Sequence, residues 1–547
     1  MKQFFGQVAS EGIGIGVVLN LSKNTSLAKE NAENSLNNEF QMALYLRAKE
    51  IVNSRLSTLY NQTLDNLGQE MAKIVLFEQF LLEDDEFDGK IQQHIADGKT
   101  AQEAIKETQN SLYETFKTLK DSYLAERIAE IADLSTQLEN SINGDYQMFN
   151  LSENTVIIAT DVAVSQLLTF DKPKICGIVT TKGSLTTHTS IIAQTAGIPL
   201  LIQVDNDILN TENGTKIAID TFSKSAIVQP TDYQVNTILQ KIKETSEEKL
   251  NQERFRGCKT QTKDGFDIRL YANIGSVEDA KMAYNADTEG VGLLRSEFLF
   301  INRNDYPSEE EQYNTYWQIV QELHFKPLII RTIDIGTDKN ADYFNLPTET
   351  NPALGYRAIR ICLDRPQLFE NQLRAIYRAA QTAYKQKEHN PIAIMFPMIV
   401  ACWEVEKCLQ FCQNIENELN INFKVAKGIM IETPAAVLIA NDLAKMVDFF
   451  SVGSNDLAQY ILAIDRQCGN HLEKYVDFEH PALLKALKMT AQAAIENNIW
   501  CGICGELATY PNLTEFLIRE GYTEFSVNYH KILKMREIIN NITRFPA

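Results

Sequence analysis

GSLTTHTSIIAQ, residues 183–194, is the stretch around which the chain is organised: a hydroxyl-rich loop that reaches one histidine, His188, and continues as an apolar run. The residues before it, ICGIVT at 175–180, have the pattern of a β-strand. A strand, a glycine-bearing loop and a helix start together favour anion binding, because free N–H groups at a helix N-terminus point toward the anion. His188 could carry a phosphoryl group there. A helix-capping loop with an incidental histidine is the alternative that the local sequence leaves open.

Length and composition indicate an ordinary soluble protein of several domains. The 547 residues are too many for one core, and 44% are apolar against 23% charged. No segment approaches roughly 18 apolar residues in a row, and the N-terminus has no signal-peptide pattern, so we expect no membrane span and a cytoplasmic protein. The net charge of −20 argues against a nucleic acid partner. The nine cysteines are scattered, as expected of reduced thiols.

The first half of the chain predicts a small α/β domain interrupted by helices. Residues 1–20 and 145–228 contain short strand-like runs with glycine turns, two of them before residue 20, and we assign both ranges to one phosphohistidine domain. Residues 21–144 contain no proline and repeat apolar residues at helical spacing, which predicts an inserted bundle. Between residues 23 and 143, acidic residues outnumber basic ones, 21 to 12, which fits a solvated surface or a docking face for a basic protein equally well.

The second half predicts a (β/α)8 TIM barrel over residues 263–547, preceded by a charged linker helix in 229–262. Eight apolar runs alternate there with helical stretches: 268–273, 290–294, 328–332, 392–397, 427–431, 449–453, 500–504 and 524–527. A doubly wound open sheet is the alternative. We favour the barrel because nearly every run ends in polar or charged residues, as strands do at the active-site face of a barrel. The predicted fold class is therefore α/β.

Charged residues near these strand ends predict an anion site with a metal. Arginines suit bidentate contacts to carboxylate and phosphate; the candidates are Arg295, Arg331, Arg357, Arg360 and Arg466, with Lys339 nearby. Glu432 and Asp456 each follow an apolar strand, and two carboxylates completed by substrate oxygens make a reasonable magnesium site. Each carboxylate alone would also fit a helix N-cap. Together, these residues point to a small phosphorylated substrate.

Cys504 ends the run at 500–504 and is a candidate proton donor. A thiol of ordinary pKa, near ~8.5, is mostly protonated at neutral pH. A disulfide or a zinc site with Cys501 is the competing interpretation. It is disfavoured because the two positions point to opposite faces of a strand and a lone pair cannot complete a tetrahedral site.

These motifs resemble those of the phosphoenolpyruvate-utilising enzymes, above all the Enzyme I group of phosphoenolpyruvate–protein phosphotransferases of the bacterial sugar phosphotransferase system. The segments that carry the resemblance are 183–194, 290–298, 331–336, 432–436, 455–460 and 504–508. The resemblance implies that phosphoenolpyruvate binds at Arg295, Arg331, Asn455, Asp456 and Arg466. Arg357 is assigned to the same substrate site.

The resemblance also implies roles, a cofactor and partners. Glu432 and Asp456 would ligate Mg²⁺, and Cys504 would protonate the enolate to give pyruvate. His188 would take the phosphoryl group and pass it to a histidine of the phosphocarrier protein HPr, swinging between the two partners on a mobile domain. The family forms dimers through the barrel, which implies a homodimer here.

Several positions depart from the family pattern, and four of them bear on activity. Ser184 breaks a glycine pair, Leu167 stands in place of a hydroxyl residue, Gln194 replaces an arginine and Thr337 replaces a glycine. A regulatory or nitrogen-type paralogue that signals through another carrier is therefore an alternative, as is a degenerate scaffold. A phosphoenolpyruvate synthase or pyruvate phosphate dikinase is disfavoured because the sequence has no nucleotide-binding P-loop.

Overall fold

The structure is a computed structural model that describes residues 2–23, 38–67, 69–117, 122–143, 151–162, 164–184, 187–301, 303–337, 341–465, 475 and 477–544. Within these ranges a number of side chains, many of them in the helices between residues 62 and 129 and that of His188 among them, are outside the description. The chain divides into two compact units, Met1–Glu248 and Lys249–Ala547. Both are α/β, as predicted.

An eight-stranded mixed sheet forms the centre of the first unit, in the order β1-β8-β7-β3-β4-β5-β6-β2. The strands are β1 (Lys2–Phe5), β2 (Gln7–Ser10), β3 (Ile13–Asn20), β4 (Thr155–Ala159), β5 (Ile175–Thr180), β6 (Leu200–Ile202), β7 (Lys216–Asp220) and β8 (Ser225–Val228). The chain's first residues thus complete a sheet built mainly from residues 155–228. Strands β3 to β6 are parallel, and the other pairs are antiparallel.

The prediction of two strands before residue 20 was wrong, because there are three. Gly6 separates β1 from β2, which lie at opposite edges of the sheet. A side chain at Gly6 would meet Val204 Cγ2 at 2.5 Å, so the chain passes closely over its neighbour where it changes edge. Glycine permits this close approach.

A helical bundle follows β3 in the chain. Its helices are α1 (Asn38–Leu67), α2 (Gln69–Leu81), α3 (Lys90–Ala96), α4 (Ala101–Lys117) and α5 (Ser122–Asn143), with a π-helical turn at Asp85–Gly89. Buried apolar side chains such as Tyr45, Val52, Phe87 and Leu134 form its core. Three further helices belong to the rest of the first half: α6 (Val164–Thr169), α7 (His188–Ala196) and α8 (Asp232–Glu253). In the part of the chain that is described, no helix combines the length and apolar character that crossing a membrane requires.

The second unit is a closed barrel of eight parallel strands, as predicted, so the open-sheet alternative is excluded. The strands are β9 (Arg269–Ile274), β10 (Val291–Arg295), β11 (Leu328–Arg331), β12 (Ile392–Phe396), β13 (Ala426–Ile431), β14 (Phe449–Gly453), β15 (Trp500–Cys504) and β16 (Glu524–Asn528). Pairing of β16 with β9 closes the ring. The strands are almost continuously apolar because helices cover their outer side and the barrel interior covers the other.

The barrel helices are α9 (Val277–Asn285), α10 (Glu309–Glu322), α11 (Ile359–Asp364), α12 (Pro366–Lys387), α13 (Cys402–Glu418), α14 (Pro434–Leu438), α15 (Ala440–Ala444), α16 (Ser454–Leu462), α17 (Pro481–Glu496), α18 (Pro511–Glu520) and α19 (Ile532–Asn541). Local sequence sets several of their starts. Ser308 and Glu311, for example, form a reciprocal capping box at the start of α10.

The two ends of the barrel differ. At the N-terminal ends of the strands, Trp500 stacks on Phe449 with ring centroids 4.6 Å apart. A cavity of about 810 Å³ opens at that end, lined by Arg269, Trp500 and Thr523 among others. Cys504 lies at the other end of β15, so this cavity is remote from the residues predicted to do chemistry.

Candidate active site

The C-terminal ends of the barrel strands bring together the residues predicted from the sequence. Arg295 ends β10, Arg331 ends β11 and Cys504 ends β15. Glu432 follows β13 directly, and Asp456 lies in the first turn of α16, directly after β14. Parallel strands in a closed barrel end on one face, so these side chains share one mouth.

Arg331 is the centre of a buried ionic network. Its Nη2 lies 3.0 Å from Glu297 Oε1, and its Nη1 lies 3.1 Å from Asp334 Oδ2. Burial alone would lower the pKa of Arg331, but Glu297 and Asp334 outweigh it and the pKa is raised. Its Nε is buried and has no hydrogen-bond partner among the described residues. A fixed cation with an unused donor is suited to bind an anionic ligand.

Asp334 extends this network to a second arginine. Its Oδ1 accepts hydrogen bonds from Arg357 Nε at 3.0 Å and from Arg357 Nη2 at 2.8 Å. The backbone N–H of Asp334 donates to Glu297 Oε1 at 2.9 Å. Two guanidinium groups are thereby held in place before any ligand binds. Such preorganised cations stabilise negative charge that develops in a transition state.

Glu432 presents a carboxylate oxygen without a partner. Its Oε1 accepts a hydrogen bond from the backbone N–H of Met398 at 2.6 Å, whereas Oε2 is buried and has no partner in the described part of the chain. Gly453 leaves room for it, because a Cβ there would lie 2.8 Å from Oε2. Burial, with Asp456 and Asp334 nearby, raises the pKa of Glu432 to about 8.

A divalent cation would relieve this electrostatic strain. Two close carboxylates and an unpartnered oxygen fit Mg²⁺, which takes one or two protein carboxylates and completes its shell with water and substrate oxygens. Across the described residues, no group of three or more His, Cys, Asp and Glu side chains forms a complete metal cage. The donor set therefore fits a metal shared with the substrate better than a structural metal.

Cys504 is a buried free thiol beside these charges. The Ser451 hydroxyl donates to its Sγ at 3.7 Å, and the thiol faces the Val452 carbonyl oxygen at 3.5 Å. Burial raises the pKa of Cys504 to about 11, while Ser451 and Arg331 oppose this rise. The thiol is therefore protonated at neutral pH. Cys501 is also free, so the alternative of a disulfide with Cys504 is excluded.

The other predicted residues fall into two groups. Arg295 is exposed at the mouth, while Asn455 and Asp456 are half-buried there. Arg360 donates to the carbonyl oxygens of Leu354 and Gly355 and so supports a loop of its own segment. Two predictions lie outside the described residues: Arg466 and Lys339.

The strand and the helix predicted around His188 are present as β5 and α7, and residues 181–184 and 187 of the predicted loop between them are described. The helix begins at His188, with Thr187 as an extended N-cap residue. The Ser190 hydroxyl donates to the Ser184 carbonyl oxygen at 2.7 Å, which links the first turn of α7 to Ser184. The position of the imidazole lies outside the described side chains.

The structure describes the surroundings of three of the residues that depart from the family pattern. Gln194 Nε2 donates to the Ala9 carbonyl oxygen at 2.6 Å, so it ties α7 to β2. Leu167 is fully buried in the apolar core of the first unit, where a hydroxyl would lack that packing. Thr337 has a buried hydroxyl with no hydrogen-bond partner among the described residues.

Three contributors to the site had not been identified from the sequence. Glu297 lies two residues after Arg295, inside a segment already singled out, so its position was the available signal. Gly453 contributes by lacking a side chain. Met398 donates its backbone N–H from a left-handed conformation, φ 57°, which is uncommon outside glycine and which no local pattern announces.

Comparison with protein families gives three matches along the chain. The family model described as PEP-utilising enzyme, PEP-binding domain matches residues 249–544. The model described as PEP-utilising enzyme, N-terminal, matches residues 5–127, and the one for the mobile domain matches residues 151–224.

Curated relatives match over nearly the full length. Proteins named phosphoenolpyruvate-protein phosphotransferase are 36% identical in Buchnera aphidicola subsp. Baizongia pistaciae, 32% in Haemophilus influenzae and 33% in Mycoplasma pneumoniae. Each alignment covers 98% of this chain and 93% of the relative.

Proposed function

The chain belongs to the PEP-utilising enzymes, among the phosphoenolpyruvate-protein phosphotransferases, and on that premise we propose that it moves the phosphoryl group of phosphoenolpyruvate to its own His188. From His188 the group passes to a histidine of the phosphocarrier protein HPr, and pyruvate is released. The main support is the convergence of paired carboxylates, fixed arginines and a protonated thiol at one barrel mouth.

The proposed division of labour follows the domains. Residues 1–20 with 145–228 carry the phosphohistidine, the bundle at 21–144 docks the phosphocarrier, 229–262 is the linker helix, and the barrel at 263–547 binds phosphoenolpyruvate. The family matches at 5–127, 151–224 and 249–544 support this division. The sheet that joins β1 to β3 with β4 to β8 supports the assignment of both chain segments to one domain.

In this proposal, the substrate binds to arginine side chains that are fixed in position before it arrives. Arg331 and Arg357, both held by Asp334, would bind the phosphate and carboxylate of the substrate. Arg295, Asn455, Asp456 and Arg466 are the further residues proposed for this site, Arg466 from the sequence alone. The unpartnered Nε of Arg331 is available for one of these contacts. Glu432 and Asp456 would hold Mg²⁺, which when bound neutralises charge on the transferring phosphoryl group and the leaving enolate.

In the phosphoryl transfer, a ring nitrogen of His188 attacks phosphorus. A P–N bond forms while the P–O bond to the enolate breaks, and the electron pair leaves with the enolate oxygen. Cys504 then donates its proton to C3 of the enolate, giving the methyl group of pyruvate, and the thiolate regains a proton from water. Arg331 and Arg295 lie near enough to favour the thiolate that remains, which offsets part of its burial cost.

Phosphorylation with labelled phosphoenolpyruvate tests this proposal. In the presence of Mg²⁺ we expect one acid-labile phosphate per chain, lost in His188→Ala and retained in His389→Ala, a control at an exposed histidine. Chelation with EDTA should abolish labelling and added Mg²⁺ restore it. Cys504→Ala should slow pyruvate release by about 10²-fold or more, the usual size of a lost proton transfer. Labelling of His188→Ala, or no labelling of the native protein, would overturn the proposal.

The carrier is tested in a second step. When the labelled protein is mixed with HPr, we expect the labelled phosphate to transfer to HPr as soon as the two are combined. A regulatory or nitrogen-type paralogue is the alternative, and the changes at Leu167 and Gln194 beside the phosphohistidine loop are its support. Transfer to another phosphocarrier but not to HPr would establish that alternative.

We also propose a homodimer formed through the barrel, in the cytoplasm. Large apolar side chains exposed on the barrel, namely Trp403, Leu438 and Leu354, support an interface there. The described cysteines are free thiols, which suits a reducing compartment. Light scattering should give twice the mass of one chain, and Leu438→Asp should shift the protein toward monomer.

A further inference from the structure

Tyr460, on α16, contacts two other segments of the barrel mouth. Its hydroxyl donates a hydrogen bond to the Ala353 carbonyl oxygen and lies 3.9 Å from Met398 Sδ. Tyr460 itself lies on α16 four residues after Asp456, and residues at this spacing share one face of a helix. One phenol thus contacts the segment that leads to Arg357 and the residue that donates to Glu432.

The segment from 349 to 358 needs external support to keep its shape. Ala358, directly after Arg357, has φ 54° and ψ −127°, a conformation that residues with a Cβ rarely adopt. Two restraints are local: the Glu349 carboxylate accepts from the Tyr356 N–H, and Arg360 donates to Leu354 and Gly355 carbonyl oxygens. A strained backbone persists only where its surroundings over-determine it.

Tyr460 supplies a restraint of a different kind. It comes from α16, which follows β14, whereas the segment around Ala353 follows β11, three strands away around the barrel. The bond therefore fixes one side of the mouth relative to another. Arg357, four residues beyond Ala353, makes its two hydrogen bonds to Asp334 from this fixed segment.

We propose that Tyr460 is a positioning residue for phosphoenolpyruvate: its hydroxyl holds the 349–358 segment so that Arg357 meets the substrate. This inference rests on the proposed function and deepens it, since Tyr460 acts through Arg357 and does not itself contact the substrate. Loss of the hydroxyl should make the 349–358 segment more mobile in the free protein. Substrate binding must then order the segment, and this ordering reduces the binding free energy. The expected loss falls on substrate affinity, because Arg357 contacts the substrate before and during transfer.

Tyr460→Phe tests this with the ring left in place. Tyr522→Phe is the matched control, because the Tyr522 hydroxyl also donates to a backbone carbonyl, that of Leu487, away from the mouth. Both changes are made in the His188→Ala background, where phosphoenolpyruvate binds without turning over, and binding is measured by calorimetry with Mg²⁺. We expect the Kd to rise about three- to tenfold for Tyr460→Phe, as for one lost hydrogen bond, and to stay within about twofold for the control.

Two further readouts separate positioning from general loosening. In the protein that retains His188, Tyr460→Phe should raise KM for phosphoenolpyruvate by a similar factor and leave kcat within about twofold. Amide hydrogen exchange at residues 354 and 355, measured without ligand, should quicken in Tyr460→Phe and not in Tyr522→Phe. Replacement of Tyr460 by p-aminophenylalanine, which restores an N–H donor, should recover most of the affinity.

The outcomes distinguish the inference from its premise. An unchanged Kd, an unchanged exchange rate at 354 and 355, or a fall in kcat with KM unchanged would overturn the role of Tyr460 while leaving the proposed function intact. If His188→Ala alone does not bind phosphoenolpyruvate, the proposed function fails and the inference fails with it.

Discussion

Asp334 is the residue on which the buried charges of the site depend. It pairs with Arg331 and Arg357 at once, and its own side chain is 3% exposed. Buried ion pairs add little net stability when complete, but removal of one partner leaves an uncompensated charge. The Asp334 carboxylate therefore balances the charge of two guanidinium groups, whereas Glu297 pairs only with Arg331.

Asp334→Asn should therefore be strongly destabilising. We expect a loss of about 3–5 kcal/mol in the free energy of unfolding of the barrel, measured by urea denaturation. Asp305→Asn removes an exposed partner of Arg303 and should cost less than about 1 kcal/mol. Similar losses for the two variants would show that the buried network is not what holds Arg331 and Arg357.

Glu524 is a second buried carboxyl, at the opposite end of the barrel. It is 1% exposed, and neither of its oxygens has a hydrogen-bond partner among the residues described. The Trp500 indole N–H lies beside it without meeting hydrogen-bond geometry. Burial raises the pKa of Glu524 to about 7, with Arg269 opposing the rise. The folded state therefore keeps this proton at a pH where the unfolded chain has lost it.

The sign of the pH dependence follows from this raised pKa. The contribution of Glu524 to stability is complete below its unfolded pKa and is lost as pH rises through about 7. Glu524→Gln should abolish this pH-dependent loss. As pH rises from about 5 to about 8, the free energy of unfolding of the variant should therefore increase by about 2–3 kcal/mol relative to that of the native protein. Denaturant titrations at several pH values measure it, with the exposed Glu496→Gln as control. Parallel curves for the native protein and Glu524→Gln would contradict this assignment.

At the scale of elements, the barrel strands were largely predictable from the sequence. Each of the eight lies within one residue of its predicted bounds, because strands buried on both sides form short apolar runs with polar ends. The positions at the barrel mouth were predictable for the same reason, since each residue stands at or just beyond a strand end: Arg295, Arg331, Glu432, Asp456 and Cys504.

The contacts between elements could not be predicted in the same way. The left-handed Met398 that supports Glu432, and the pairing of Arg357 with Asp334, depend on residues distant in sequence. The strand missed before residue 20 has a similar cause, because β1 and β2 are defined by partners at opposite edges of a sheet. Local propensity carries no information about these partners.

The last residue of β14 provides a test of how closely strands β13 and β14 must pack at the mouth. A Cβ on Gly453 would lie 2.8 Å from Glu432 Oε2 and 2.9 Å from its Cβ. Gly453→Ala should displace Glu432, destabilise the barrel by about 1–3 kcal/mol and abolish phosphoenolpyruvate-dependent labelling. Gly275→Ala is the control, since its Cβ would meet only Asp279 Oδ2, at 3.8 Å. Full labelling of Gly453→Ala would mean that Glu432 does not need its present position.

At the scale of the whole molecule, the residues proposed for the chemistry are divided between two units with separate cores. The largest apolar cluster lies entirely within residues 268–542, whereas the clusters of the bundle and of the mixed sheet lie within residues 4–226. The arginines, carboxylates and thiol of the barrel mouth belong to the second unit, and His188 belongs to the first. Substrate binding and phosphoryl acceptance are therefore expected to be separable.

A fragment of residues 249–547 tests that separation. Since it contains its own core and the closed barrel, we expect it to fold alone and to bind phosphoenolpyruvate with Mg²⁺ within about threefold of the affinity of the His188→Ala chain. It should retain no phosphate, because the acceptor is absent. Calorimetry of the full chain should show two unfolding transitions, one of which coincides with that of the fragment and rises with added substrate. A fragment that folds but does not bind phosphoenolpyruvate would mean that the first unit completes the substrate site, and the arginine network would then be a structural feature of the barrel rather than its binding surface.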